Sequence, residues 1–176
     1  EKIALIFGFL ERSMLKNEIL NFCYLGTFIE RFDNTARILD VRHFLFLPNT
    51  MIRNDIIGET QWEAILRSLS AYRAYMWQNQ NELSAINISN FLLFDEKMPR
   101  SLKFSLDQIL NYIKLLKKNK VKDSVSFNLG LSIQSKLVSR KKNYNYDFGL
   151  HNYLDRLIKS NIKLGNLIEE EFNFHR

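Results

Sequence analysis

Apolar residues recur at helical spacing over long parts of this chain, and the clearest run lies between residues 25 and 43. The residues of this run fall on one side of an α-helix that turns about 100° per residue. They are Leu25, Phe28, Ile29, Phe32, Ala36, Leu39 and His43. The pattern predicts a long helix from Glu18 to Leu47, which Pro48 ends because proline cannot continue a helix.

Similar patterns predict further helices on both sides of this one. Residues 1–12 have the pattern of a helix end, and residues 48–59 that of a loop. Thr60-Gln61-Trp62-Glu63 has the form of a capping box, in which threonine and glutamate side chains satisfy backbone amides at a helix start. That helix would carry apolar residues as far as Met76. Three later helices are predicted in the same way: Ser84 (as cap) to Phe94, Pro99 (as first residue) to Leu116, and Leu150 to Phe172.

Residues 124–133 are ambiguous, because apolar and polar side chains alternate there as in a strand. A lone strand would have no partner, so we expect a helix and keep the strand as the alternative. The chain has only 6 glycines and 2 prolines in 176 residues, which favours long helices over many short strands. The sequence therefore predicts an all-α fold, an up-and-down bundle of long antiparallel helices in one domain over residues 1–176.

Four charged residues share an arc of roughly 80° beside the apolar face of the long helix. We call Glu30, Asp33, Arg37 and Asp40 the charged arc. A solvated charge stripe normally lies opposite the core, so we expect this arc to be at least partly enclosed. Gly26 lies on the same arc one turn before Glu30, where a missing side chain lets another group approach the backbone.

Two interpretations of the charged arc stay open. In the first, Asp33 pairs with Arg37 and Arg37 with Asp40, forming a structural ladder along one helix. In the second, Glu30 accepts a proton or binds an amine, while Arg37 and Arg100 grip a carboxylate or phosphate. Ion networks often imitate active sites, which favours the structural interpretation.

At this helix the chain resembles the bacterial alpha-E family, a helical domain named for a Glu-Arg motif. The matching residues are Leu25, Gly26, Glu30, Arg31, Asp33, Thr35, Arg37, Leu39 and Asp40, whereas Thr27 and Phe32 depart from the family pattern. Further matches lie at Gln61-Trp62, Ser70-Ala71-Tyr72, Ala74-Tyr75, Phe91-Leu92-Leu93 and Pro99-Arg100-Ser101.

The resemblance implies that the chain corresponds to the C-terminal half of the family's domain. It also implies a bacterial protein encoded beside ATP-grasp ligases and transglutaminase-like proteins. The candidate catalytic residues are Glu30, Arg31, Asp33, Arg37 and Asp40. The candidate ligand-binding residues are Gly26, Tyr75, Arg100 and Ser101, although Tyr75, like Trp62, fits a core aromatic better than a ligand platform.

Composition limits the remaining chemistry. The net charge of +6 comes from lysine-rich stretches such as Lys117-Lys118 and Lys141-Lys142, but no stacking aromatics or nucleic-acid-binding motif accompany them. Nucleic acid is therefore the least favoured partner. The single cysteine, Cys23, forms no intrachain disulfide, so we expect a cytoplasmic protein with Cys23 buried. No apolar stretch is long enough for a membrane span, and no metal-ligand or cofactor-binding motif is present, so we expect neither metal nor cofactor.

Three functions follow as hypotheses. The first is a non-catalytic partner or substrate-presenting module of an ATP-grasp- or amidoligase-type system that forms or modifies peptides. Its partners would be an ATP-grasp ligase-like or transglutaminase-like protein, together with the missing N-terminal half or a second copy of the chain. The second is an enzyme whose site is the charged arc with Arg31, acting on a peptide or amino-acid-like substrate. The third is a nucleic-acid-binding helical module.

Overall fold

The computed structural model describes residues 2–45, 56–79, 83–142 and 149–174. These ranges contain eight α-helices and no strand, which confirms the all-α prediction. The helices are α1 (Lys2–Ser13), α2 (Glu18–Leu45), α3 (Ile56–Ser68), α4 (Tyr72–Gln78), α5 (Ala85–Phe94), α6 (Leu102–Lys117), α7 (Val125–Lys142) and α8 (Leu150–Glu171), with a 3₁₀-helix at Lys118–Asp123.

The long motif helix α2 lies at the centre and packs mainly against α6 and α8. The hydroxyl of Thr35 donates to the backbone carbonyl of Arg100, just before α6, at 2.8 Å. Near the other end of α6, the ring of Tyr112 stacks on that of Tyr24 with centroids 5.4 Å apart. Helices α2 and α6 are therefore antiparallel, as predicted.

The remaining long helices continue the up-and-down order. His151, at the start of α8, pairs with Asp40 near the end of α2. Glu171, at the end of α8, contacts Ser126 at the start of α7. Since α7 also packs against α6, the four longest helices of the described part form an antiparallel bundle, and α3 and α4 extend it beside α5.

The apolar face of α2 is buried as the spacing predicted. Leu25, Phe28, Phe32, Ala36 and Leu39 all belong to the main core, and Ile29 packs against it. The side chain of His43 and the predicted helix end near Pro48 lie outside the described residues. The hydrophobic pattern therefore fixes which side of α2 faces the bundle.

The ambiguous segment 124–133 is helical. The hydroxyl of Ser124 accepts the backbone N–H of Phe127 at 3.1 Å, so it caps the first turn of α7. Ile133 and Leu137 of this helix are buried in the core. At Gly130 the helices approach closely, because an added Cβ would lie 2.7 Å from Cδ2 of Leu110.

The predicted start of the third helix at Thr60 is wrong. Helix α3 begins at Ile56, and Glu63 pairs with Arg67 one turn further along, with Oε1 and Nη2 2.6 Å apart. The capping-box sequence therefore lies inside a helix, where an i, i+4 ion pair uses the glutamate that a cap would need.

The continuous helix expected from Thr60 to Met76 is divided in two. The N–H of Ala71 donates to the carbonyl of Leu66 at 2.7 Å, and the N–H of Ser70 to that of Arg67 at 3.0 Å. Ser70 has a φ of 55°, and together with these two hydrogen bonds it makes the turn from Leu66 to Ala71 a Schellman motif that ends α3. Glycine or asparagine normally takes this position, so a serine there does not indicate from sequence alone that the helix ends.

Two smaller expectations are also corrected. Pro99 is not the first residue of a helix, because the hydroxyl of Ser101 accepts the N–H of Phe104 at 3.0 Å and α6 starts at Leu102. Cys23 is exposed. It lies two residues before Leu25, and this places it on a different side of α2 from the buried face. Within the described ranges, no helix combines the length and apolar character that crossing a bilayer requires.

Candidate functional site

The charged arc divides into separate pairs. The carboxylate of Glu30 is exposed and accepts a hydrogen bond from the side-chain amide of Asn34. Asp33 and Arg37 form an ion pair, with Oδ2 and Nε 2.6 Å apart. Of the two pairs in the predicted ladder, this is the one that forms.

The fourth residue of the arc, Asp40, faces a different helix. Its Oδ1 lies 2.7 Å from Nδ1 of His151, so the contact ties α2 to the first turn of α8. The Asp40 side chain is 17 % exposed, whereas that of Arg37 is 52 % exposed. The predicted enclosure therefore holds for Asp33 and Asp40 and fails for Glu30 and Arg37.

Arg31 and Arg100 are brought together at the contact of α2 with the start of α6. The guanidinium of Arg31 lies 5.1 Å from the ring centroid of Phe28, and Thr35, one turn along, holds the backbone of Arg100. Burial lowers the pKa of Arg31, and the neighbouring charge of Arg100 lowers it further, while Glu30 acts in the opposite direction.

Arginine stays protonated in proteins, so these side chains place two positive charges in the same region, where each acts on the other. Neither forms a salt bridge with a carboxylate of the described residues. Planar guanidinium groups bind carboxylates and phosphates through paired hydrogen bonds. The structure thus associates Arg100 with Arg31, whereas the predicted companion, Arg37, is engaged by Asp33.

The other candidate ligand residues differ in accessibility. Ser101 is fully buried, and its hydroxyl caps α6 while donating to the backbone carbonyl of Asp95. Tyr75 is fully buried and packs edge-to-face against Phe91, with centroids 5.4 Å apart. Gly26 is exposed, with open space where a Cβ would be. Only Gly26 of these three therefore presents an accessible surface.

Two features of the surface have no counterpart in the sequence patterns. The first is His151, which faces Asp40 across 111 positions of sequence. The second is a pair of adjoining cavities of about 500 and 620 Å³ between α4, α5 and the end of α7. Trp77, at the second cavity, is 92 % exposed. No residue of the charged arc lines either cavity.

Metal binding finds no ready site in the described part of the chain. No three histidine, cysteine, aspartate or glutamate side chains lie close enough there to hold an ion.

Comparison with known proteins gives one informative match. A family model called Alpha-E, described as a predicted alpha-helical domain with a conserved ER motif, matches residues 1–172. The Glu30-Arg31 pair of α2 is such a Glu-Arg sequence, and so is Glu11-Arg12 of α1. No curated protein and no solved structure matches the chain.

Proposed function

The chain belongs to the Alpha-E family, and from this premise we propose that it is a non-catalytic partner or substrate-presenting module. It would serve an ATP-grasp- or amidoligase-type system that forms or modifies peptide bonds. The bond-forming chemistry would belong to a ligase-like or transglutaminase-like partner. The helical chain would bind that partner or its substrate.

The separation of the carboxylates in the charged arc carries this proposal. Acid–base catalysis needs groups that converge on one reacting atom within hydrogen-bond reach. Here Glu30 is turned to Asn34, Asp33 to Arg37, and Asp40 to a histidine of α8. Each carboxylate therefore has its own separate partner, as expected of a surface that organises helices.

The paired arginines supply a binding function that such a module needs. Arg31 and Arg100 together can hold a carboxylate or phosphate group, such as the C-terminus of a peptide. The aromatic ring of Phe28 beneath Arg31 orients the guanidinium and limits its hydration. This supports an anionic substrate or partner group at the contact of α2 with the start of α6.

One observation favours the enzymatic alternative. Oδ1 of Asp33 is buried and accepts no hydrogen bond from the described residues. Buried polar atoms in folded proteins are nearly always hydrogen-bonded, and an unpaired buried carboxylate oxygen is one of the exceptions found at catalytic sites. In that alternative, Glu30, Arg31, Asp33, Arg37 and Asp40 would act directly on a peptide or amino-acid-like substrate.

Reconstitution with an ATP-grasp ligase encoded beside the chain tests the proposal. We expect the chain to form no product alone and to raise the ligase's rate of peptide or amide formation. Arg31→Gln and Arg100→Gln should weaken this effect, while Arg156→Gln, an exposed arginine on α8, should leave it unchanged. Product formation by the chain alone would support the enzymatic alternative. Absence of both binding and stimulation would refute the proposed partnership.

A further inference from the structure

The cavities beside α5 present one side of that helix to solvent. Asn87, Asn90, Phe91 and Phe94 line the first cavity, and their spacing places them on a common side of α5. Phe91 and Phe94 are buried and form an apolar floor. The asparagines are half-buried and lie above it.

The two asparagines have unused hydrogen-bonding groups. Gln78 of the same cavity donates to Asp95 at 3.0 Å, and Asn79 donates to the carbonyl of Tyr75 at 3.0 Å. By contrast, the side-chain amides of Asn87 and Asn90 make no hydrogen bond within the described residues. Both therefore keep a donor and an acceptor available in the groove, where they are half-buried.

A side-chain amide carries the same groups as a peptide unit, one carbonyl and an N–H donor. It can pair with both the N–H and the carbonyl of an extended backbone. Residues three apart on a helix have Cβ atoms roughly 5–6 Å apart. Equivalent groups of an extended chain recur about every 7 Å, so Asn87 and Asn90 can engage alternate residues.

The rim of the groove is apolar where a side chain of a bound extended peptide would lie. Trp77 is 92 % exposed and Ile86 is 51 % exposed. Tryptophan is highly buried on average, and tryptophan in an accessible groove is typical of binding surfaces. The charged residues that line the groove are two acidic and two basic ones: Asp95, Glu96, Lys97 and Lys141. Their charges cancel, so the groove does not favour a strongly charged ligand.

We propose that this groove binds an extended polypeptide segment. Asn87 and Asn90 pair with its main chain, and an apolar side chain packs on Trp77 above the Phe91 and Phe94 floor. Each cavity has the size of an ordinary ligand site, for which volumes of about 300–1,000 Å³ are typical. The role of this segment as the substrate of a ligase rests on the proposed function, whereas the binding itself does not.

Selection from a displayed library of random peptides against the whole chain provides the probe. Peptides that are enriched are then synthesised with acetylated and amidated ends. We expect an apolar residue at one fixed position and saturable binding. Because Trp62 is buried, the fluorescence of the exposed Trp77 should shift to the blue on binding.

Variants of the groove distinguish recognition of the peptide main chain from non-specific hydrophobic binding. Asn87→Ala and Asn90→Ala should each weaken binding about tenfold, as the loss of a paired hydrogen bond predicts. Peptides that are N-methylated at their central peptide units should bind as weakly as the unmethylated peptide binds these variants, because methylation removes the N–H groups that the asparagines would pair with. Asn152→Ala, an exposed asparagine on α8, is the control, and circular dichroism checks that every variant is folded.

Enrichment that is equal on the wild type and on the Asn87→Ala/Asn90→Ala double variant would overturn the inference. So would binding that survives N-methylation. Peptide binding without any effect on a ligase would leave the groove assignment standing and refute the proposed function. Ligase stimulation without peptide binding would refute the groove assignment alone.

Discussion

The carboxylate of Glu171 at the end of α8 accepts the backbone N–H of Ser126 in the first turn of α7 at 2.9 Å. Three further groups donate to it: the hydroxyls of Ser124 and Ser126, and the ammonium of Lys117 at 3.1 Å. The ends of α6 and α8 and the start of α7 meet at this one side chain. Its charge therefore contributes to holding the bundle together.

We predict that this contact makes stability depend on pH in the acidic range. Burial raises the pKa of Glu171, but the hydrogen bonds from Ser126, Ser124 and Lys117 outweigh it and lower the pKa from 4.5 to about 2. A lowered folded-state pKa gives stability that is present above the unfolded value of 4.5 and lost as pH falls toward 2. The free energy of unfolding should fall over this window.

Glu171→Gln should remove part of this pH dependence and reduce stability at neutral pH by about 1–3 kcal/mol, as expected for hydrogen bonds to a charged group. Urea unfolding at several pH values measures both effects. Glu170→Gln is the matched control, since the neighbouring glutamate is exposed. Equal pH profiles for wild type and Glu171→Gln would contradict the prediction.

Within the charged arc, we predict that Asp40 matters more for folding than Glu30 or Arg37. Asp40→Asn weakens a half-buried contact between α2 and α8 and should lower stability by about 1 kcal/mol. Glu30→Gln and Arg37→Lys alter exposed contacts within one helix, and each should change stability by less than about 0.5 kcal/mol. Chemical denaturation of the three variants gives the ranking.

Two of these variants, Glu30→Gln and Arg37→Lys, also test the role of the arc. If Glu30→Gln and Arg37→Lys melt at the same temperature as the wild type but no longer stimulate the ligase, the arc is a functional surface. Arg37→Lys keeps the charge and removes the planar fork, so it tests anion recognition in particular. The structural interpretation predicts that both variants still stimulate the ligase.

The sequence predicted the parts of this structure that depend on local pattern. The buried face of α2 follows from apolar spacing, and the cap of α5 follows from Ser84, whose hydroxyl accepts the N–H of Asn87. The end of α3 was missed because Ser70 adopts the left-handed conformation that glycine usually takes. The local sequence indicates which backbone conformations are low in energy, but tertiary contacts can still stabilise a less common one.

The candidate site was predicted less completely because its contacts join distant segments. The i, i+4 pair of Asp33 and Arg37 could be read from spacing alone. The partner of Asp40 could not, since it lies on α8. The association of Arg31 with Arg100 likewise depends on how α6 docks on α2. Side chains that meet only through packing leave no periodic signal in a single sequence.

Nucleic-acid binding should be weak, and we predict that it depends steeply on salt. Lys117 and Lys118 are already paired with Glu171 and Glu18, at 3.1 and 2.8 Å. The remaining lysines give contacts to phosphate, whose strength falls by orders of magnitude between roughly 50 and 200 mM salt. Fluorescence anisotropy with a labelled duplex and a labelled single strand measures this. Tight, sequence-selective binding at physiological salt would reverse the ranking of the hypotheses.

The last prediction concerns the apolar surface of α1 and the start of α2. Leu5, Ile6 and Phe9 are exposed, Phe9 to 68 %, and Leu15 and Ile19 continue the exposed apolar residues. Among the described residues, α1 makes little contact with the other helices. Contiguous apolar surface on soluble proteins commonly marks an interaction site. We therefore expect the isolated chain to self-associate through α1, or to be stabilised when a partner covers it.

Light scattering over a range of protein concentrations measures this association. Leu5 and Phe9 are four residues apart on one side of the helix, so a single charge there should disturb the whole contact. Phe9→Glu should shift the chain toward the monomer without lowering its stability, because the side chain contributes little to the core. Val138→Glu, at an exposed apolar position of α7, should leave the association unchanged. A wild-type chain that stays monomeric at every concentration, and that gains no stability from its partner, would show that α1 is not a docking surface.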